Sequence, residues 1–362
     1  MLFYICNDLS DALQANDNNV ITFLRSAAEA WRRGLHIITG MPKTLLEISK
    51  SNNLDNRTRQ LFKQITRLTI REYSNYNTIH RFIFVQNSQT VEHRHICLSP
   101  QEADVFILSK THLLLENLSD EPLYRTIAEL YCHNQRLQCK INYHPENGNG
   151  GQIVDTYKMF DNTIPCLCIV DSDKTSPYSK PNSKSTAYKI TSVESPSRLA
   201  KVIVIPVHEV ENLLPVDIVI DYRSKNGGIS DEHKIILRIL QTCKRHHRFA
   251  DLKTGMAIDS IVRKCDRNSS KHFWLRFAFR TKIQILNQEL ECGDKDCVSC
   301  EKSADCKYSF IPKSNVALNR LNISLQSFLE HSNNSKHLRV LWEMIGREIT
   351  AWSCSSNPTV SF

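Results

Sequence analysis

Six carboxylates lie just after short apolar runs, where three buried strands are predicted to end. They are Glu116, Asp120, Asp171, Asp173, Glu209 and Glu211. Because the carboxyl ends of parallel strands meet at one edge of an open α/β sheet, we expect these side chains to lie together there. Carboxylates brought together repel one another unless a divalent cation lies among them, and hard cations such as Mg²⁺ are bound by such oxygen ligands. The pattern therefore predicts a cation site of the Mg²⁺ type.

Strand and helix patterns alternate between residues 105 and 225 in the βαβ manner. The predicted strands cover 111–115, 138–143, 165–170 and 201–205. Residues 1–100 have the pattern of a small α/β segment, to which the sequence assigns no role. Residues 226–362 are mostly helical in pattern and carry a basic block and a cysteine cluster. The expected fold is thus α/β, with a parallel-sheet domain over 105–225.

Length and composition allow two or three ordinary globular domains in 362 residues, with 41% hydrophobic and 23% charged residues. The chain begins without a basic n-region, and no apolar run approaches the roughly 18 residues of a membrane span. Thirteen cysteines, most of them single within apolar stretches, are typical of reduced thiols. These features predict a cytoplasmic protein with no membrane association.

The excess of positive charge is concentrated in one block. Residues 244–282 hold eleven Lys or Arg against three acids, a difference of 8 that equals the net charge of +8 of the whole chain. The candidate nucleic-acid-binding residues are Lys244, Arg245, Arg248, Arg276 and Arg280. A basic block separate from an acidic metal cluster is typical of an enzyme that cuts phosphodiesters. A solvated basic helix face is the alternative.

Basic and apolar residues alternate over 271–282, which predicts a strand. The Phe and Leu residues from Phe273 to Phe279 would share one face of it. Trp274, Arg276 and Arg280 would lie on the other face and offer an aromatic ring and two cations to a nucleic acid. An amphipathic edge strand with solvated arginines is the alternative.

A cysteine cluster follows this stretch and consists of Cys292, Cys297, Cys300 and Cys306. Four thiolates in fifteen residues, with one close Cys-x-x-Cys pair among polar residues, indicate a structural Zn²⁺ site. An iron–sulfur cluster needs the same thiolates, and unligated loop cysteines are the third reading.

The strand-end acids and the glycine-rich turn at 147–151 resemble the Toprim domain, in which a Glu, a glycine-rich turn and an Asp-x-Asp follow one another in this order. The stretch 206–215, with the sequence PVHEVENLLP, is similar to the OLD-type nucleases and to the effector nucleases paired with ATPases in antiphage systems such as PARIS. A Lys-Gly motif of that group is similar to 251–255. The resemblance covers about 105–260, and Asn117 stands where the family usually has a glycine.

The resemblance implies a metal-dependent nuclease with a Toprim-like parallel sheet. Glu116 would be the general acid/base and a metal ligand, Asp171 and Asp173 would bind Mg²⁺ or Mn²⁺, and Lys253 would neutralise charge on the phosphate. Asp120 would face the same pocket, and Glu209 or Glu211 would complete a second metal position. Glycines 148, 150 and 151 would let backbone amides approach a phosphate.

The resemblance also implies partners, namely nucleic acid (DNA, or tRNA and other RNA) and an ATPase of a defence system. Assembly into a homo-oligomer is left open. Two other functions remain: a Toprim-like module that binds nucleic acid or a partner without cutting, and a primase-like or nucleotide-processing enzyme.

Overall fold

The computed structural model describes residues 1–87, 96–160, 163–180, 182–194, 199–257, 268–286, 309–313, 318, 321, 323–331 and 335–357. The chain divides into two compact units, each assembled from separate stretches of sequence. Unit 1 comprises Met1–Cys168, Val193–Ile203 and Trp342–Phe362, and unit 2 comprises Ile169–Ser192 and Val204–Leu341. The architecture is α/β, as the sequence predicts.

A four-stranded parallel sheet with the order β2-β1-β3-β4 lies in unit 1. Its strands are β1 (Leu2–Ile5), β2 (Ile37–Gly40), β3 (Phe82–Val85) and β4 (Ile96–Leu98). The helices around it are α1 (Asp8–Gln14), α2 (Asn18–Arg32), α3 (Pro42–Lys50), α4 (Asn56–Tyr76) and α5 (Pro100–Asp104). Helix α2 begins where the Asp17 side chain accepts the Asn19 N–H at 2.9 Å. This part of the chain is therefore α/β with a parallel sheet.

The second four-stranded sheet has the order β7-β5-β8-β9. Its strands are β5 (Thr111–Leu115), β7 (Tyr143–Asn147), β8 (Cys166–Val170) and β9 (Ala200–Val204), and α6 (Glu121–Asn134) and α7 (Ile153–Phe160) are the helices of this part of the chain. Strands β5 and β7 pair in parallel. Every residue of β8 is buried, as expected of a strand covered on both faces. The chain turns polar directly after it, at Asp171.

Two short antiparallel pairings complete the strands of the described residues. They join β6 (Lys140–Ile141) to β12 (Cys354–Ser355) and β10 (Met256–Ala257) to β11 (Ser309–Ile311), both antiparallel. The remaining helices are α8 (Thr186–Val193), α9 (Val216–Lys225), α10 (Asp231–Thr242), α11 (Lys244–His247), α12 (Asn268–Leu286), α13 (Leu325–His331) and α14 (Lys336–Ser353). In the part of the chain that the structure describes, no helix is long and apolar enough to cross a membrane.

The strand predicted over 271–282 is wrong, because these residues belong to helix α12. Its buried side chains include Phe273, Trp274, Phe277 and Thr281, which recur at helical spacing. The strand pattern places Trp274 on an open face, but Trp274 is fully buried and its Nε1–H donates to the carbonyl of Thr175 at 2.6 Å. Alternating Phe and Arg over a few residues fits either period, and only the packing of the helix decides between them.

Candidate metal centre

Two loops of unit 2 follow the neighbouring strands β8 and β9, and hydrogen bonds join them. The Ser172 hydroxyl donates to the carbonyl of Val207 at 2.5 Å, and the Asp173 N–H donates to the carbonyl of His208 at 3.0 Å. Asp173 has the left-handed backbone conformation, with φ of 53°, which Asp adopts more easily than most residues. The loop that carries Asp171 and Asp173 is therefore held directly against the loop that carries His208.

A third segment, 248–253, is bound to the same place. The His208 N–H donates to the carbonyl of Arg248 at 2.7 Å. The Lys253 N–H donates to Oε1 of Glu209, also at 2.7 Å. These two bonds bring residues that lie 40 and 44 positions apart in sequence into direct contact.

The side chain of Asn212 links these segments by hydrogen bonds. Its side chain is fully buried, and its Nδ2 donates to the carbonyls of His247 at 2.7 Å and Ala250 at 2.9 Å. Its Oδ1 accepts the Glu209 N–H at 3.0 Å. Because a buried amide is costly to leave without partners, these three bonds specify both the turn at Glu209 and the path of the 247–250 segment.

Three side chains converge at this junction in a way that suits a cation. His208, Glu209 and Asp251 each offer one ligand atom, and these atoms all lie within 4.8 Å of one another. We call these three residues the metal group. Glu209 is buried, and the other two are half-buried. The His208 Nδ1 atom is buried and has no hydrogen-bond partner in the described part of the chain, which leaves one imidazole nitrogen available to a ligand.

The electrostatics at Glu209 favour a bound cation. Burial raises the pKa of its carboxyl to about 8, the charges of Glu211 and Asp251 add to the rise, and the Lys253 N–H and ammonium oppose it. Burial also raises the pKa of Glu211, with Lys253 again opposing. Buried acids repel one another when they are charged. A bound divalent ion would offset both this repulsion and the free-energy cost of burying the charges.

Burial also governs the ionisation of His208 and Asp173. It lowers the pKa of the His208 imidazole, against the opposing charges of Asp251 and Asp173, and so favours the neutral form that binds metals. It raises the pKa of Asp173, which the nearby His208 opposes. Asp173 thus lies close enough to His208 for an electrostatic interaction with the metal group.

The donor set fits a divalent ion. One imidazole nitrogen and two carboxylates are ligands that Mn²⁺ and Zn²⁺ accept, while Mg²⁺ is usually bound by oxygen ligands and water. Among the described residues, the group whose ligand atoms meet contains Glu209 but not Asp171, Asp173 or Glu211. Glu211 and Lys253 lie beside it, as their effects on the Glu209 pKa show. The ligand roles of Asp171, Asp173 and Glu211 stay predictions.

Glu116 and Asp120 belong to unit 1. Glu116 follows β5, and the Gly150 N–H donates to its carbonyl at 3.4 Å, so the glycine-rich turn lies beside it. Burial raises the pKa of the Cys168 thiol, and nearby negative charges that include Glu116 add to the rise. Asp120 accepts the Ser119 hydroxyl at 3.0 Å. Their roles in catalysis and metal binding stay predictions.

Sequence reasoning missed His208 and Asp251. His208 comes immediately before Glu209, and Asp251 comes two residues before Lys253. Both positions lie within the motifs at 206–215 and 251–255, in which the neighbouring residues are the predicted site residues. Asp251 follows no strand, however, and its place beside Glu209 depends on the Lys253 and Asn212 hydrogen bonds.

The five basic residues lie in two helical segments of unit 2 and just after one of them. Lys244 and Arg245 are exposed on α11, Arg248 is half-buried after it, and Arg276 and Arg280 are exposed on α12. The two arginines of α12 are four residues apart and so lie on one side of that helix. The predicted zinc ligands Cys292, Cys297, Cys300 and Cys306 fall outside the described residues.

No protein-family model, curated protein or solved structure matches this chain. The fold and the metal group define an α/β protein with a candidate divalent-cation centre. The likeness to Toprim nucleases is carried by the sequence motifs alone.

Proposed function

We propose that this protein is a metal-dependent nuclease of the Toprim type that hydrolyses phosphodiester bonds of DNA or RNA. The observation that supports the proposal is the metal group, whose three ligand atoms all lie within 4.8 Å of one another. The basic residues of α11 and α12 supply the positive charge that a nucleic-acid backbone needs.

A bound divalent cation would activate a water molecule and stabilise the charge of the leaving oxygen. His208, Glu209 and Asp251 would hold that cation. Lys253, beside Glu209, would offset negative charge on the phosphate as a point cation. Glu116, by its resemblance to the family's first carboxylate, would serve as the general acid/base.

Within this proposal we infer that Mn²⁺ supports activity better than Mg²⁺. The imidazole of His208 is a ligand that Mn²⁺ accepts readily, whereas Mg²⁺ prefers oxygen ligands and retains several waters. Zn²⁺ would bind the same donors and serves as a comparison ion in the test.

The test is cleavage of plasmid DNA and of total tRNA by the purified chain in Mn²⁺, Mg²⁺, Zn²⁺ or EDTA. Asp251→Asn and His208→Ala should each reduce cleavage by about a hundredfold or more, because even outer-shell partners of metal ligands cost roughly 10- to 100-fold. Asp221→Asn is the matched control, since Asp221 is an exposed acid of the same unit. Equal cleavage by Asp251→Asn and the control would overturn the assignment of the metal group.

The same assay tests Glu116. Glu116→Gln keeps the size of the side chain and removes its charge, so it should abolish cleavage without unfolding unit 1. Full cleavage by Glu116→Gln, beside its loss in Asp251→Asn, would leave the nuclease in place and remove Glu116 from its mechanism.

A nucleic-acid-binding module that does not cut is the second candidate. Arg245 and Arg276 line a cavity to which none of the metal-group residues contributes, so binding there needs no metal. Oligonucleotide binding with no cleavage in any metal would favour this candidate.

The proposal extends to a partner ATPase of an antiphage defence system, on the strength of the family resemblance. Cleavage that appears only when a candidate ATPase is added would identify a restrained effector nuclease and would exclude the non-cutting module.

A further inference from the structure

A cavity of about 290 Å³ lies in unit 2 and contains no residue of the metal group. Its lining includes Tyr178, Arg245, His246, His272, Phe273 and Arg276. The volume is near the lower end of the range for small-molecule sites, which begins at about 300 Å³. We call it the basic-aromatic cavity.

The charge of this cavity selects an anion. Arg245 and Arg276 are both exposed, and none of the lining residues is an acid. A guanidinium offers a planar set of donors that matches two phosphate oxygens at once. His272, which is exposed, offers further ring nitrogens.

The rings of the cavity give it a second kind of surface. His246 is stacked on Phe273 with centroids 4.1 Å apart and an interplanar angle of 18°. Its Nε2–H donates to the Phe273 carbonyl at 3.0 Å, which fixes the orientation of the imidazole. Tyr178 stands edge-on to Phe273 at 6.5 Å and is 42% exposed, so part of its ring is open to a ligand. Open aromatic surface beside arginines is what a nucleotide needs, since it has both a flat base and a phosphate.

One wall of the cavity belongs to a segment that is hydrogen-bonded to the metal group, since the Asp173 N–H donates to the carbonyl of His208. Tyr178 lies on the segment that begins with Asp171, and this segment is bound to helix α12 by the Trp274–Thr175 bond and by a 2.7 Å contact between the hydroxyls of Ser176 and Ser270. A strand of nucleic acid held in the cavity would therefore be supported by the same loop that follows β8.

A second segment makes the same connection. Arg245 and His246 lie on α11, and the backbone carbonyl of Arg248, just after it, accepts the His208 N–H at 2.7 Å. The segment that contributes Arg245 and His246 to the cavity is therefore hydrogen-bonded to the loop that carries His208.

We infer that the basic-aromatic cavity binds one nucleotide of a single-stranded nucleic acid, with Arg245 and Arg276 at the phosphate and Tyr178 against the base. A single strand is specified because the faces of a base are covered by its neighbours in a duplex and become available only when the base is unstacked. This binding role rests on the proposed function, whose substrate class it narrows to single strands.

The test is binding of a fluorescein-labelled twelve-nucleotide oligo(dT) or oligo(rU) to the full chain in EDTA, followed by anisotropy. Arg245→Ala and Arg276→Ala should each weaken binding by about tenfold, the loss of a charge-assisted contact. Arg238→Ala is the matched control, because Arg238 is exposed on α10 outside the cavity, and it should weaken binding by less than about twofold.

The base contact is tested at Tyr178. Tyr178→Leu should weaken binding by about fivefold or more, the loss of one base–aromatic stack, and Tyr178→Phe should bind as the unaltered chain does. AMP should displace the oligonucleotide, and inorganic phosphate should do so at least about tenfold less well. A duplex of the same length should bind more weakly than the single strand.

Three results would overturn the inference: equal weakening by Arg238→Ala and Arg276→Ala, no effect of Tyr178→Leu, or displacement by inorganic phosphate as effective as that by AMP. The first would mean diffuse attraction to the basic surface, and the third a bare phosphate site. EDTA prevents metal-dependent cleavage, so binding and cleavage are measured separately. If the oligonucleotide binds as expected but no metal supports cleavage, the proposed nuclease function is wrong and the cavity's binding role stands. If the chain cleaves nucleic acid but the cavity variants bind normally, the cavity's role is wrong and the nuclease function stands.

Discussion

The backbone N–H of Lys253 donates a 2.7 Å hydrogen bond to a carboxyl oxygen of Glu209, across 44 residues of sequence. This bond holds one oxygen of a buried acid and brings Asp251 alongside it. This contact and the hydrogen bonds of Asn212 assemble the metal group, since no feature of the neighbouring sequence places Asp251 beside Glu209.

Metal binding by the three residues can be measured without any activity. Asp251→Asn and His208→Ala should each lower Mn²⁺ affinity by at least about tenfold, because a direct ligand should cost no less than an outer-shell partner. Titration calorimetry with Mn²⁺ on the full chain measures the change, with Asp221→Asn as control. Unaltered affinity in both variants would show that Mn²⁺ binds elsewhere.

Asn212→Ala should lower the free energy of unfolding by about 3 kcal/mol, because it removes three hydrogen bonds and leaves buried carbonyls without a donor. It should also weaken Mn²⁺ binding, since the 247–250 segment would no longer be held. Urea unfolding measures the first effect. Asn226→Ala removes an exposed amide whose Nδ2 donates to the Tyr222 carbonyl, and it should cost far less. Equal losses in the two variants would contradict the role of Asn212.

The His247–His337 pair should make the protein less stable in mild acid. Their ring nitrogens lie 3.4 Å apart. Burial lowers the pKa of His247 to about 3 and of His337 to about 4, and the charges of Arg248 and Lys244 contribute. Both rings stay neutral in the folded chain while the unfolded chain takes up protons below about pH 6.5, so the stability falls as the pH falls from there towards 4.

The measurement is urea unfolding at pH 7, 6 and 5. Each histidine should contribute a slope approaching about 1.4 kcal/mol per pH unit below its unfolded pKa. His337→Gln should reduce the slope whatever it does to stability at pH 7. A slope unchanged by this substitution would show that other groups cause the acid sensitivity.

The glycine-rich turn beside Glu116 offers a matched pair of substitutions. A Cβ on Gly148 would lie 2.5 Å from the Ile153 side chain, whereas a Cβ on Gly151 would meet nothing within 4 Å. Gly148→Ala should therefore lower the free energy of unfolding by about 1–3 kcal/mol, the usual cost of overpacking, while Gly151→Ala should be close to neutral. Thermal unfolding of the two variants tests the expectation, and equal stability would contradict it.

Several strands could be predicted from the sequence because buried strands appear in it as short apolar runs. The strand expected at 111–115 is β5 (Thr111–Leu115), and the one at 165–170 is β8 (Cys166–Val170). Each run is followed by an acid, so the position at which each strand ends can be predicted as well. Helix α12 was missed because its Phe and Arg residues fit two periods, and the burial of Trp274 against Thr175 decides the matter only in the folded chain.

The sequence by itself determined that buried strands end at acids and that Glu209 would be among the candidate ligands. Only the tertiary structure decided that His208 and Asp251 are its companions. Local spacing records which side chains are buried, because burial repeats with the period of a helix or strand. It does not record which distant loops meet, since that depends on long-range bonds such as those of Asn212 to the segment that leads to Asp251.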